Sequence, residues 1–247
     1  MFLIISILVP LASIKPSDAE EPKNSPTYVI TRLKPYENIY TEDIAVFRTS
    51  WVDSLKLILP CKNVPVPKRT MRLPNAPRSY RSGIHRGVDF FANWGTPVRV
   101  VADGIIIRAD HHYEEVSASF REDLLKVSGK IGNTPSDIFN EILLGMSVFV
   151  DHGLEIIPGF RTISIYAHLS FIEKRLEPGI AISGGEIIGR SGNSGMREST
   201  LGSKAGSHLH WEMILQNSEG EIFLGQGIKN PDLYEMLNNI FVIKQGE

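Results

Sequence analysis

The sequence predicts a mainly β fold: an antiparallel β-sheet domain with a helical insertion and a short C-terminal helix. From residue 83 onwards, short alternating segments are broken by glycine and proline, as in the strands and turns of a compact β domain. Residues 113–145 interrupt this pattern with apolar residues at helical spacing. The closing segment NPDLYEMLNNIF predicts an amphipathic helix with Asn230 as its cap and Pro231 at its first position.

The strands of the main domain, residues 83–247, are predicted from alternation and turn residues. Residues 96–109 predict a hairpin that turns at Asp103 and Gly104. Further strands are predicted over MSVFVDHG, RTISIYAHLS and HLHWEMIL.

The insertion of residues 113–145 predicts two helices. The apolar residues that predict the first are Val116, Phe120, Leu124 and Val127. Ser136 and Asp137 are a start signal for the second, which carries the apolar residues Ile138, Ile142 and Leu143. Because the insertion leaves one strand and rejoins the next, it lies at one end of a strand pair, where loops often carry function. It forms either a wall or lid of a groove or a layer on the domain's outer surface.

The N-terminus predicts a signal peptide over residues 1–19. Residues 2–14 are almost wholly apolar but fewer than the roughly 20 that cross a bilayer. Ser17 and Ala19 then provide the small residues of a secretory cleavage site. No lysine or arginine precedes the apolar run, so a buried N-terminal strand is the alternative. A signal peptide predicts an exported protein of the periplasm, cell envelope or medium, with no transmembrane segment in the mature chain.

Residues 20–82 predict an N-terminal region that is first β-rich and then extended. Its β-rich pieces are residues 27–33, 44–51 and 54–60. Residues 62–82 hold four prolines and six lysines or arginines without periodicity, which favours an extended segment.

The net charge and the cysteine content limit the partners and the metal sites that this protein can have. The net charge of −2 gives no basic field for nucleic acid, so no nucleic-acid partner is predicted. Cys61 is the only cysteine, which excludes both an intramolecular disulfide and a zinc site of thiolates. A metal in this protein would be bound by His, Asp or Glu.

His85 and Asp89 form the first candidate pair for such a metal. On a straight strand the two residues would be about 13 Å apart, too far to share one ion. Gly83 and Gly87 flank the pair and allow the backbone to bend, which could bring the two side chains together. Taken alone, a surface histidine near an aspartate is the simpler interpretation.

Two more histidine settings lie on predicted strands. His168 lies on the polar face of ISIYAHLS, and a solvent-facing histidine is an equally good interpretation of that segment. His208 and His210 share one face of HLHWEMIL, about 6–7 Å apart at the backbone. Together, His85, Asp89 and His210 make a two-histidine, one-carboxylate set with a position left open for water, as catalytic zinc sites have. A facial triad for non-haem iron is the alternative metal site.

Five blocks of the sequence resemble the lysostaphin/LytM-type zinc endopeptidases of bacterial cell walls. The blocks are GIHRGVDFFANWGTPVRVVADGIII, MSVFVDHG, ISIYAHLSF, IGRSGNSG and GSHLHWEM. The resemblance implies one zinc ion per chain bound by His85, Asp89 and His210, with His168 and His208 as catalytic residues. It also implies an antiparallel LytM-type catalytic fold and hydrolysis of peptide cross-links in peptidoglycan.

The resemblance implies a further site residue and leaves one functional alternative. Tyr80 is the counterpart of a family tyrosine that assists the transition state. A non-enzymatic cell-wall binding or activating module of the same fold is the alternative function, although none of the five site residues is replaced. His111, His112 and His152 match no catalytic position and are assigned no role.

Overall fold

The structure is a computed structural model that describes residues 47–242. The predicted signal peptide over residues 1–19 and the predicted strand over residues 27–33 lie outside the described residues. No helix within residues 47–242 has both the length and the hydropathy of a bilayer-spanning segment.

The described residues form short strands and few helices. The strands are β1 Leu57–Ile58, β2 Pro77–Arg78, β3 Gly83–Ile84, β4 Gly87–Phe90, β5 Pro97–Arg99, β6 Gly104–Ala109, β7 Val148–Asp151, β8 Arg161–Ala167, β9 Leu169–Ile172, β10 Ala181–Ile182, β11 Ile187–Ser191, β12 Leu209–Asn217, β13 Gly220–Phe223 and β14 Phe241–Val242. The α-helices are α1 Ala118–Ile131, α2 Arg197–Thr200 and α3 Asp232–Ile240, and a π-helix spans Ile138–Leu143.

The main sheet contains seven strands and is antiparallel throughout. Its order is β10-β6-β7-β8-β12-β13, and β4 also pairs with β12. A second, three-stranded sheet has the order β5-β11-β9, and β1 pairs with β14 in parallel. The predicted fold class is confirmed: the described residues form a mainly β, antiparallel domain with a helical insertion and a short C-terminal helix.

Apolar side chains cover the main sheet in two clusters, on opposite faces. Along β12, Trp211 and Met213 belong to the larger cluster, whereas Ile214 belongs to the smaller one. Successive residues of a strand point to opposite faces, so even-numbered positions of β12 share the face of Ile214. Phe139 and Leu143 of the insertion complete the smaller cluster on that face. The insertion therefore covers the face that also carries His210 of β12.

Residues 47–82 pack into the larger cluster, where Phe47 and Leu57 are buried. The predicted strand over residues 44–51 is wrong where it is described, because Thr49–Trp51 is a 3₁₀ turn. This turn brings the rings of Phe47 and Trp51 to a centroid distance of 5.4 Å, whereas a strand would separate residues four apart by about 13 Å. The predicted domain division after residue 82 stays a prediction.

The predicted hairpin over residues 96–109 is wrong. β5 pairs with β11 in the smaller sheet, whereas β6 pairs with β7 and β10 in the main sheet. Val100 and Val101, between the two strands, are buried where the chain crosses from one sheet to the other. Asp103 directly precedes β6 and Gly104 is its first residue, so the predicted turn leads into a strand of a different sheet.

The first helix of the insertion is confirmed, but its buried face is not the predicted one. α1 begins after Ser117, whose hydroxyl accepts a hydrogen bond from the Phe120 N–H. Phe120 and Val127 are about half exposed, whereas Arg121 and Ser128 are buried. Arg121 donates to the Gly195 carbonyl of a neighbouring turn, whereas Ser128 donates to the Leu124 carbonyl of its own helix.

The remaining helices differ from prediction in detail. Asp137 caps the second helix of the insertion as predicted, accepting from the Ile138 N–H, but the helix is of the π type. The C-terminal helix begins at Asp232, with Pro231 as its cap, one residue later than the predicted cap at Asn230.

Candidate metal centre

Strand register places an aspartate and a histidine opposite each other on the main sheet. β12 lies between β4 and β8, and His210 pairs with Asp89 on one side and with Ala167 on the other. Directly opposed residues have Cβ atoms about 5 Å apart on the same face, so their side chains meet. Nδ1 of His210 lies 2.8 Å from Oδ1 of Asp89.

A bend in the chain adds His85 to this pair. β3 ends at Ile84 and β4 begins at Gly87, so His85 lies in the break between them. Its Nε2 is 2.9 Å from Oδ1 of Asp89, four residues later. A Cβ atom at Gly87 would lie 2.3 Å from the Trp211 carbonyl oxygen, so only glycine allows β4 to approach β12 this closely. The bend therefore brings together two side chains that a straight strand would keep apart.

The three side chains present a closed triangle of ligand atoms. The distances between the facing nitrogen and oxygen atoms of His85, Asp89 and His210 are 2.8, 2.9 and 3.1 Å. Tetrahedral zinc with bonds of about 2.0–2.1 Å holds neighbouring ligand atoms roughly 3.3 Å apart, so the triangle fits such an ion after a small expansion. All three residues are buried. Within residues 47–242 this set of donors could hold a metal ion, with no thiolate among them.

Hydrogen bonds behind the triangle orient each ligand. Nδ1 of His85 donates to the Leu73 carbonyl at 2.9 Å, which leaves the Nε2 lone pair for a metal. Nε2 of His210 donates to Oε1 of Glu212 at 2.8 Å, which leaves Nδ1. The second oxygen of the aspartate is bound by Arg78 at 3.1 Å. Such outer partners commonly fix ligand orientation in metal sites.

The charges of the metal-free site suit a divalent cation. Burial raises the pKa of Asp89, but His85, His208 and His210 outweigh it and hold that pKa well below its usual range. Burial lowers the pKa of His85, so its imidazole is neutral. Burial also lowers the pKa of His210, but hydrogen bonds and charge from Asp89 and Glu212 outweigh it and raise the pKa to about 9. An incoming metal ion therefore meets one carboxylate and must displace one proton.

His168 and His208 lie beside the triangle, with ring centroids 5.0 Å apart. Nδ1 of His168 donates to the Ser194 carbonyl at 2.8 Å, and Nδ1 of His208 donates to the Gly206 carbonyl at 2.7 Å. Nε2 of His208 lies 3.5 Å from Oδ1 of Asp89. Burial, reinforced by the neighbouring histidines, lowers the pKa of His168 well below its usual range, so it is neutral at pH 7.

The predicted strand over RTISIYAHLS is interrupted at His168. This residue has a φ of 58° and separates β8 from β9. The left-handed backbone turns the side chain away from the position that simple alternation predicts.

The five predicted site residues open onto one cleft of about 500 Å³. Arg121, Leu125 and Phe139 of the insertion line this cleft, so the insertion forms part of its wall. Tyr80 also lines the cleft and is 58% exposed, which places its phenol at the rim. Its predicted part in the transition state stays a prediction.

The other three histidines lie outside the cleft lining. His111 contacts the Leu176 carbonyl, and His112 is exposed. His152 is buried, with Nε2 2.7 Å from the Ser164 hydroxyl. None of the three belongs to the metal-binding set of His85, Asp89 and His210.

Sequence reasoning missed Glu212, the carboxylate behind His210. Glu212 is fully buried and pairs with Arg86 at 2.9 Å. Burial raises its pKa, but Arg86 and His210 outweigh this and lower the pKa to about 2, so it is ionised. The signal was available, because Glu212 continues the alternate spacing of His208 and His210 along the same strand. Leu73, whose carbonyl holds His85, had no comparable signal.

A known protein family matches the part of the chain that contains His168, His208 and His210. The model of Peptidase family M23 matches residues 127–221. The matched segment contains His168, His208 and His210, whereas His85 and Asp89 precede it and join the site through the geometry above. No curated protein matches the chain.

Solved structures of similar proteins include an antimicrobial peptidase and a zinc-containing peptidase. The catalytic domain of lysostaphin from Staphylococcus simulans is 22% identical, with 76% of this chain and 96% of that chain covered and a TM-score of 0.35. The catalytic domain of an A109H mutant of the prophage-encoded M23 protein EnpA from Enterococcus faecalis is 16% identical, with 72% of this chain and 93% of that chain covered and a TM-score of 0.35. A zinc-containing peptidase from Vibrio cholerae is 18% identical over 67% of this chain, which spans only 39% of that one, with a TM-score of 0.36. At these identities and TM-scores, the neighbours do not define the activity or the substrate.

The family match covers four of the five sequence blocks, MSVFVDHG, ISIYAHLSF, IGRSGNSG and GSHLHWEM, which include His168, His208 and His210. Residues 127–221 of this chain therefore match the model of Peptidase family M23, in agreement with the resemblance to the lysostaphin/LytM-type peptidases.

Proposed function

We propose that this protein is a zinc-dependent endopeptidase that hydrolyses peptide cross-links of bacterial peptidoglycan. The observation that carries the proposal is the buried triangle of His85, Asp89 and His210, with His168 and His208 beside it on one cleft. Three protein ligands leave a coordination position open, which distinguishes catalytic from structural zinc sites. The M23 match supports peptide-bond hydrolysis, and peptidoglycan peptides are the partner that the family resemblance suggests.

The chain's own residues supply the proton transfers in this proposal. A zinc ion bound by the triangle would polarise the scissile carbonyl and lower the pKa of a water molecule. His168 is neutral, and its Nδ1–H donates to the Ser194 carbonyl, so Nε2 is free to accept a proton from the attacking water and to pass it to the leaving amine. His208 would take up a proton from solvent on Nε2, beside Asp89, and donate that hydrogen to the negative charge that develops on the scissile carbonyl oxygen. Tyr80 at the rim is a second donor to the same charge.

The non-enzymatic alternative is not favoured, because all five residues are present and the cleft is open. The iron alternative uses the same three ligands and is decided by the metal that the protein contains. Metal analysis of the purified protein is expected to find one zinc ion per chain.

We place this activity in the cell envelope, on the predicted signal peptide and the nature of the proposed substrate. N-terminal sequencing of protein from its native host should find a mature chain that begins near Glu20. A soluble cytoplasmic protein that retains Met1 would refute export.

The decisive experiment is digestion of purified peptidoglycan fragments, with mass analysis of the products. Cleavage that requires zinc and separates cross-linked peptides is expected. Zinc-loaded protein that binds wall fragments without cutting any peptide would support the non-enzymatic module instead.

A further inference from the structure

Gly195 is held by the insertion through both of its backbone groups. Its N–H donates to Oε1 of Glu115 at 2.8 Å, and Nε of Arg121 donates to its carbonyl at 3.1 Å. The same Glu115 oxygen accepts from the Ser199 hydroxyl at 2.6 Å, and the other accepts from the Tyr113 hydroxyl at 3.1 Å. Hydrogen bonds from three groups therefore fix the Glu115 carboxylate against this turn.

The peptide bond that Glu115 contacts is the same one that holds His168. It joins Ser194 to Gly195, and its carbonyl oxygen accepts the hydrogen bond from Nδ1 of His168. A trans peptide is planar, with its N–H and C=O pointing in opposite directions. Glu115 and His168 therefore bind the two ends of one rigid group, and holding the N–H sets the direction of the carbonyl.

The arrangement also strengthens the contact to the histidine. A carboxylate that accepts from the peptide N–H polarises the peptide, which makes its carbonyl a better acceptor. The Ser194 carbonyl then retains the hydrogen on Nδ1 of His168. The ring is left with a lone pair on Nε2, the form that a general base requires.

The far end of the insertion closes on the same turn. A Cβ atom at Gly145 would lie 2.3 Å from the Ser194 carbonyl carbon, and one at Gly195 would lie 2.6 Å from the Gly145 nitrogen. The neighbouring Leu144 carbonyl accepts from the backbone N–H of His168 at 2.9 Å. Both ends of the insertion therefore contact the Ser194–Gly195 turn, and the far end also contacts the backbone of His168. The close packing at Gly145 and Gly195 leaves the turn little space to shift.

We propose that residues 113–145 are a positioning element for catalysis, in which Glu115 orients His168 across the Ser194–Gly195 peptide bond. The proposal rests on the proposed peptidase function. The Glu115 carboxylate orients the His168 imidazole indirectly, because the Ser194–Gly195 peptide group lies between the two side chains. Arg121 is a second positioning residue, because it holds the next carbonyl along the turn.

The test uses the zinc-loaded full chain with Glu115→Ala. The kcat should fall roughly tenfold, the effect of about one lost hydrogen bond, while KM and zinc content stay unchanged. The ¹⁵N shifts of the His168 imidazole should change from a single Nδ1–H tautomer to a mixture. Glu115→Gln retains an acceptor for the Gly195 N–H, so it should restore the single tautomer and most of kcat.

Glu114→Ala is the matched control, because Glu114 is the adjacent exposed glutamate, and it should change neither readout. Should Glu115→Ala fail to fold, Glu115→Asp withdraws the carboxylate by one methylene group and carries the same expectation. Full kcat with a single tautomer in the folded variant would overturn the proposal. The tautomer is measured without substrate, so a parent protein that cleaves no wall peptide would refute the proposed function and still leave this result interpretable.

Discussion

The two sides of the cleft differ in the groups that hold their functional side chains. On the metal-binding side, the ligands lie on or beside paired strands. Charged side chains hold two of them, Glu212 behind His210 and Arg78 behind Asp89, and the Leu73 carbonyl holds His85. On the histidine side, both imidazoles are held by backbone carbonyls of turns. Strand register and buried charge leave the first side little freedom, whereas the second depends on how a turn is held. We therefore expect the metal-binding side to set metal occupancy and the histidine side to set the rate.

The largest effect is expected from His210→Ala. This variant should lose both stoichiometric zinc and peptidase activity, because two ligands remain where a catalytic site needs three. Metal analysis and a digestion assay measure the two losses. His112→Ala removes an exposed histidine outside the cleft lining and should retain both. Full zinc occupancy in His210→Ala would refute the ligand assignment.

His168→Ala tests the other side of the cleft. Zinc content should stay at one per chain, while turnover falls roughly 10²–10⁴-fold, as for the loss of a positioned acid–base group. Parallel measurements of zinc content and kcat separate the two sides directly. Loss of zinc from this variant would mean that His168 is a metal ligand and that the general base is another histidine of the site.

Glu212→Gln addresses the support behind a ligand. Zinc affinity should fall by about 10–100-fold, the usual cost of losing an outer partner of a metal-binding histidine. Competition with a chelator measures the affinity. Glu219→Gln, on an exposed glutamate of the same part of the chain, is the control and should leave it unchanged. Equal affinities in the two variants would show that the carboxylate behind His210 contributes nothing to metal binding.

The smallest effect, taken for one unit of pH, is the fall in zinc affinity as the pH is lowered. The pKa of His210 in the metal-free protein is raised to about 9, so at pH 7 this ligand carries a proton that zinc must displace. Zinc affinity should therefore fall by about tenfold for each pH unit below 9, until other ligands also protonate. Calorimetry in buffers of different ionisation enthalpy should detect release of about one proton per zinc ion near pH 7. Binding without proton release would contradict a raised pKa.

The metal-binding side was largely predictable, because its signals are local. His208 and His210 are two residues apart on a strand, and glycines flank His85 where the chain must bend. The histidine side was less predictable. Alternation placed His168 on a continuous strand. In the structure its backbone is left-handed, and the carbonyl that holds its ring belongs to Ser194, 26 residues later in the chain.

The sequence by itself determined the chemistry that is available: a chain with a single cysteine, β-strand patterns and histidines at spacings that suit nitrogen and oxygen ligands. Only the tertiary structure decided that β5 and β6 enter different sheets, that α1 buries Arg121 instead of Phe120, and that Glu115 reaches Gly195, 80 residues away. The reason is physical. Alternation and capping depend on neighbouring residues, whereas sheet membership, the buried face of a helix and the tautomer of a histidine depend on partners that folding brings together.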